Sequence, residues 1–266
     1  MTPPFDASLA VLRTQCAAAG FDLDKAGSDL VERMRLLAEC SHTFGDAARM
    51  AGHAERVFQH YEPTAEAFTA LERQTVLLAC LFSDVGKTGP AHADAEGRRL
   101  IVETFAVENV QDETQSVGHF FRTYFPDDAP RRIALFTTLG LDPAMSIRAL
   151  WNHHSAWTLA IAERSGLPPE AVAAAATHHL LENVNPDAIV DSQNRFSRSF
   201  GANAVFDRAE KLVIVLDKYD AVSRRGNRSH AEAIAWTRER IAKNPRFADD
   251  QEFFALVTAL DAVLGP

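Results

Sequence analysis

Ten histidines are spread over 266 residues, and several stand where they could bind a metal. His53 belongs to His-Ala-Glu-Arg-Val-Phe-Gln-His-Tyr, whose apolar Val57 and Phe58 follow helical spacing. Asp84 closes the apolar run Leu-Leu-Ala-Cys-Leu-Phe-Ser-Asp and is followed by Val-Gly-Lys, which places Lys87 three residues on. Two adjacent pairs, His153-His154 and His178-His179, sit among small and apolar residues, and Asp217 follows Leu-Val-Ile-Val-Leu. A carboxylate emerging from such a run is desolvated, and a buried unpaired charge is expensive, so Asp84 and Asp217 each require a cation or several donors nearby. A divalent metal answers both. Imidazole with carboxylate suits iron, manganese or zinc better than calcium, and two ions sharing one carboxylate can activate water and clamp a phosphoryl group. Taken singly, each residue reads more simply as a hydrogen-bonded core group. Their joint occurrence in one chain favours the metal.

The elements that must position these side chains are helices. Apolar residues recur at gaps of three and four over Leu30 to Tyr61, Glu66 to Phe82, Ile147 to Ser165, Pro169 to Leu181, Ala209 to Val222 and Ala231 to Ile241. Strand-like alternation is nearly absent, and Leu212 to Leu216, the best strand candidate, reads as a buried helix segment within its charged flanks. The expected fold class is all-α. Breakers separate the helices: Gly86, Gly89-Pro90, Pro126 with Pro130, Gly140 with Pro143, Gly166 to Pro169, Asn183 to Pro186, Gly226 and Pro245. The polar stretch between Leu181 and Ala209 is too long for an ordinary connection and reads as a lid or a disordered insert. A domain boundary is expected near Gly45, dividing an N-terminal helical region, 1–45, from the histidine-bearing part, 46–266.

Composition narrows the function. With 27 basic and 36 acidic residues, a net charge of −9 and no block of like charge, the chain lacks an electrostatic footprint for polymeric nucleic acid or an anionic membrane. Cys16, Cys40 and Cys80 form no CxxC pair and read as small buried residues in a reducing compartment. No run of 18 apolar residues occurs, and the start lacks the basic region of a secretory signal, so a cytoplasmic protein is expected. His42, His60, His92 and His230 have no partner pattern and read as surface or capping groups. Arg224-Arg225 with Arg228 reads as a solvated face, or else as a phosphate-binding cluster.

His53 with Arg56-Val57, then Leu-Phe-Ser-Asp-Val-Gly-Lys, then His-His, then Leu-Asp-Lys-Tyr-Asp-Ala-Val resembles the HD superfamily of metal-dependent phosphohydrolases, most closely its HD-GYP branch. The resemblance runs from about residue 45 to the C-terminus. It implies an HD-like helical bundle carrying an N-terminal helical extension, with residues 89–150 as an insertion. It further implies that His53, Asp84 and Asp217 hold one divalent metal and that Asp84 bridges to a second held by His153 and His178. His179 would complete the site and Lys87 would meet the substrate phosphate. His119, inside the insertion, and His154, one residue along, are rivals for the His153 position. Two ions, iron or manganese ahead of zinc or magnesium, would hydrolyse a small phosphorylated substrate, a nucleotide or cyclic dinucleotide. A homodimer is compatible with this reading. Ser83 stands where the motif has its own histidine, and of the branch's Gly-Tyr-Pro signature only Pro186 remains. These departures keep two alternatives open: a nucleotide-binding or signalling module without turnover, and a di-iron oxygenase on the same scaffold.

Overall fold

A computed structural model describes residues 5–225 and 228–265. The chain is 66% helical, with 12 α-helices among the described residues and one two-stranded sheet. In order these are α1 (Phe5–Ala18), α2 (Ser28–Cys40), α3 (Thr43–Tyr61), α4 (Ala70–Phe82), α5 (Ala95–Phe105), α6 (Val117–Tyr124), α7 (Ala129–Thr138), α8 (Ile147–Ala162) and α9 (Pro169–Thr177). There follow β1 (Arg195–Phe200), β2 (Asn203–Val205), α10 (Arg208–Arg225), α11 (His230–Lys243) and α12 (Gln251–Leu264). The all-α expectation is met, and Leu212 to Leu216 is helical and wholly buried in α10. Among the described residues no helix is long and apolar enough to cross a membrane.

The helices begin where side chains can satisfy their first free amides. Thr69 with Glu72 forms a capping box on α4, and Ser229 with Glu232 does the same on α11. Asp94, Ser116, Ser146 and Asp250 each accept a first-turn amide, opening α5, α6, α8 and α12. Central in the bundle is α4, buried from Thr75 to Phe82 between α3, α9 and α10. It delivers the chain into the short 3-10 turn Val85–Thr88, which packs on α8. That packing depends on Gly86. A side-chain carbon there would lie 2.0 Å from the His154 carbonyl oxygen, so only glycine lets turn and helix approach this closely.

Two expectations need correction. The chain does not break at residue 45: Gly45 lies in the first turn of α3, and Leu12, Cys16, Leu30 and Leu37 of α1 and α2 belong to the same apolar core as α4 and α10. The buried guanidinium of Arg33 in α2 also donates to Thr88 Oγ1 at 2.8 Å and to the Ala91 carbonyl at 3.1 Å, tying the N-terminal helices to the chain beyond Asp84. Second, the stretch between Leu181 and Ala209 holds the antiparallel hairpin β1–β2, anchored by buried Phe196 and Phe200 and by a 2.7 Å bond from the Ala202 amide to Glu170 Oε1. The expected insertion, residues 89–150, holds α5, α6 and α7, with α5 against α2 and the 3-10 turn. The expected break at Gly226 lies outside the described residues. Cys16 and Cys80 are buried and Cys40 is half-buried, all as free thiols.

Candidate metal centre

Four segments converge beneath the end of α4. The 3-10 turn brings Asp84 and Lys87, α8 brings His154, the end of α9 brings His178 and His179, and α10 brings Asp217 and Lys218. The turn is clamped to α8 by two buried bonds: the Gly86 amide donates to Thr158 Oγ1 at 3.0 Å, and that hydroxyl donates to the Ser83 carbonyl at 2.7 Å. Asp84 thereby faces the inner side of α8, where Ile147, Leu150, His154 and Thr158 share one buried stripe.

The two innermost histidines have defined tautomers. Nδ1 of His154 meets the Trp151 carbonyl, and Nδ1 of His178 meets the Ala175 carbonyl at 2.6 Å. A carbonyl has no proton to give, so each Nδ1 carries the hydrogen and Nε2 is the ring atom left to hold a proton or present a lone pair. These Nε2 atoms are 2.9 Å apart. Asp84 Oδ1 lies 3.3 Å from the first and 3.8 Å from the second. Two lone pairs and a carboxylate oxygen aimed at one another repel unless a cation or a shared proton lies among them. Backbone carbonyls fixing Nδ1–H while Nε2 points inward are the usual outer support of a metal-bound histidine. The His154, His178 and His179 ligand atoms all lie within 4.8 Å of one another and could hold a metal ion.

Charge is managed on the other side by lysines. Lys87 Nζ donates to Asp84 Oδ2 at 2.6 Å. Burial would raise the Asp84 carboxyl, but its neighbours, the Lys87 ammonium first among them, outweigh it and hold the group well below the usual carboxylate range. Lys218 Nζ lies 2.7 Å from Asp217 Oδ2, 2.8 Å from His179 Nδ1 and 2.9 Å from Glu182 Oε1. Burial opposes ionisation of Asp217 too, and the Lys218 ammonium overrides it and pushes its pKa down. Burial would lower the Lys218 pKa, but Asp217 and Glu182 raise it, so the ammonium persists. His178 and His179 are pushed well below the ordinary imidazole range, first by burial and, for His179, then by the Lys218 ammonium.

Of the expected site residues, Asp84, Lys87, His178, His179 and Asp217 come together. His153 does not. It is exposed on α8, stacked on Trp157 at 5.8 Å, and lines a surface groove with Asn152 and Asn185; one step of helix rotation puts His154 inside in its place. His119 is exposed on α6. His53 is not among the residues whose ligand atoms cluster: its ring meets Tyr219 edge-on at 5.7 Å, burial pushes its pKa down, and its charged neighbours are Asp220, Arg56 and Arg49. Family models, curated proteins and solved structures yield no match to this chain.

Lys218 and Glu182 were not singled out by sequence reasoning. Their signal was present in Lys218, a lysine directly after Asp217 on a helix buried all round, which must find acids or pay the full desolvation cost. Arg224 is committed to Asp46 at 2.6 Å and to Glu108 at 3.4 Å, and Arg49 to Asp46 and Asp220, which makes a paired network and leaves neither free for phosphate. His42, His60 and His92 are exposed, while His230 is wedged between the Tyr219 hydroxyl and Asp261, each at 3.0 Å.

Proposed function

We propose that this chain is a metal-dependent phosphoric ester hydrolase whose metal is held by His154 Nε2, His178 Nε2 and Asp84 Oδ1. The observation that carries this reading is the pair of inward-facing Nε2 atoms 2.9 Å apart beside a carboxylate oxygen. Nitrogen-rich ligation with one carboxylate suits manganese, iron or zinc, and three protein ligands leave positions for water and substrate. Bound there, a divalent ion would lower the pKa of a ligated water toward neutrality and polarise a phosphoryl oxygen. The chain supplies the rest. Lys87, 12% exposed and bonded to Asp84 Oδ2, would meet a phosphate oxygen, and Gly86 with Thr158 holds Asp84 against α8. The likeness to HD-type phosphohydrolases supports the same reaction class and a small phosphorylated substrate, a nucleotide by class.

The test is hydrolysis of bis(p-nitrophenyl) phosphate and a nucleotide panel by chelator-stripped protein resupplied with manganese or iron. Metal-dependent turnover that disappears in His178→Ala and Asp84→Asn supports the proposal. Turnover indifferent to chelator and to both substitutions refutes it. A second reading has one observation in its favour: the ammonium of Lys87 is spent on Asp84 Oδ2. A nucleotide-binding module without turnover would show metal-dependent nucleotide binding and no product.

A further inference from the structure

The cluster contains two kinds of cation position, and they are built differently. Around His154 and His178 the two Nε2 atoms face each other and Asp84 Oδ1, with no lysine among them. Around Asp217 the acceptors face a donor that the chain itself supplies. The three hydrogens of the Lys218 ammonium meet three acceptors, Asp217 Oδ2, His179 Nδ1 and Glu182 Oε1, at 2.7, 2.8 and 2.9 Å. These are hydrogen-bond lengths, longer than the roughly 2.0–2.2 Å at which nitrogen and oxygen bind a transition metal. Lys218 is only 4% exposed. Asp84 is divided in the same way. Its Oδ1 faces the two histidines, and its Oδ2, the oxygen that a bridging carboxylate would give to a second ion, is held by Lys87 at 2.6 Å.

We propose that the Lys218 ammonium takes the place of a second metal ion, so that the centre binds one divalent ion per chain. The inference rests on the reading that His154, His178 and Asp84 hold a metal. An ion approaching Asp217 and His179 would have to expel a buried ammonium from three hydrogen bonds at once, and Lys87 would have to release Asp84. Lys218 is a positioning residue: it fixes Asp217, His179 and Glu182 and supplies one unit of positive charge that neither exchanges nor responds to metal supply. It also keeps His179 Nδ1 as an acceptor, which turns that ring away from the role of a third nitrogen ligand through this atom.

The experiment is a manganese titration of the chelator-stripped full chain by calorimetry, with bound metal counted by elemental analysis after desalting. Wild type is expected to bind one ion per chain. Lys218→Ala, which frees three acceptors around a cavity of ammonium size, is expected to bind two. Asp217→Asn is expected to keep one, because Asp217 serves the lysine and does not touch the bound ion. Two ions in wild type overturn the inference and leave the metal-centre reading intact, as does folded Lys218→Ala that still binds one. Zero ions in wild type defeat the metal-centre reading, and the inference with it. Loss of the single ion in folded Asp217→Asn overturns the inference even where Lys218→Ala does not fold.

Discussion

Replacing Gly86 by alanine should damage stability and metal binding together. A Cβ at this position would lie 2.0 Å from the His154 carbonyl oxygen, 2.6 Å from the Thr158 amide nitrogen and 2.7 Å from Thr158 Oγ1. The two nearest atoms are backbone of α8 and cannot swing aside, so the turn must retreat by about 1.4 Å to restore ordinary van der Waals separation. Retreat breaks the 3.0 Å bond from the Gly86 amide to Thr158 and strains the 2.7 Å bond from Thr158 to the Ser83 carbonyl, both buried. An orphaned buried group costs about 1–3 kcal/mol and overpacking a similar amount, so the substitution should destabilise the fold by about 3–5 kcal/mol. Asp84 lies two residues upstream and His154 on the helix being pushed away, so the ligands part. Manganese affinity should fall at least about tenfold, as when the outer support of a metal ligand is lost. Urea unfolding followed by circular dichroism gives the first quantity and calorimetric titration the second. Gly52→Ala is the control: it is exposed on α3 with nothing within 4 Å of the new carbon, and should stabilise by about 0.5–1 kcal/mol. A Gly86→Ala protein that unfolds at the wild-type urea concentration and binds manganese as tightly would refute the reasoning.

Further predictions concern the supports and the neighbours of the site. His154→Ala should abolish metal binding measured by titration, whereas His153→Ala should leave it unchanged, since His153 packs on Trp157 at the surface. Arg33→Met should lower stability by about 3 kcal/mol in urea unfolding, because it removes the buried charge-assisted bonds to Thr88 and to the carbonyls of Pro90 and Ala91. Glu210 is buried beneath the hairpin, where burial and then Asp207 hold its pKa well above the usual carboxylate range. An acid raised in the fold carries no penalty below its unfolded pKa of about 4.3 and loses stability as pH rises from there through the folded value. The Tm of Glu210→Gln should therefore gain on that of wild type from pH 4 toward neutrality by differential scanning fluorimetry. A constant difference across that range would contradict the assignment.

The helices were legible because their burial follows the same period as their apolar residues, and because Thr69, Ser146 and Ser229 mark starts that the chain uses. The choice between His153 and His154 was legible as well: Ile147, Leu150, Thr158 and Ile161 set the phase of α8, and only His154 falls on it. The resemblance favoured the other residue, by spacing along the chain. The hairpin was hidden because Phe196 and Phe200 are four residues apart with exposed Arg198 between them, so no alternation shows. No local pattern distinguishes a histidine that reaches the cluster from one, such as His53, that turns to an aromatic ring. Lys218 escaped for the opposite reason. A lysine beside an aspartate is read as a solvated pair until the helix carrying both proves to be buried.

The central claim is tested most directly by diffraction from crystals soaked in manganese. The account predicts an anomalous difference peak between His154 Nε2, His178 Nε2 and Asp84 Oδ1, within roughly 2.2 Å of each. Clear density for the three side chains with no peak among them, or with the two imidazoles turned apart, would contradict it.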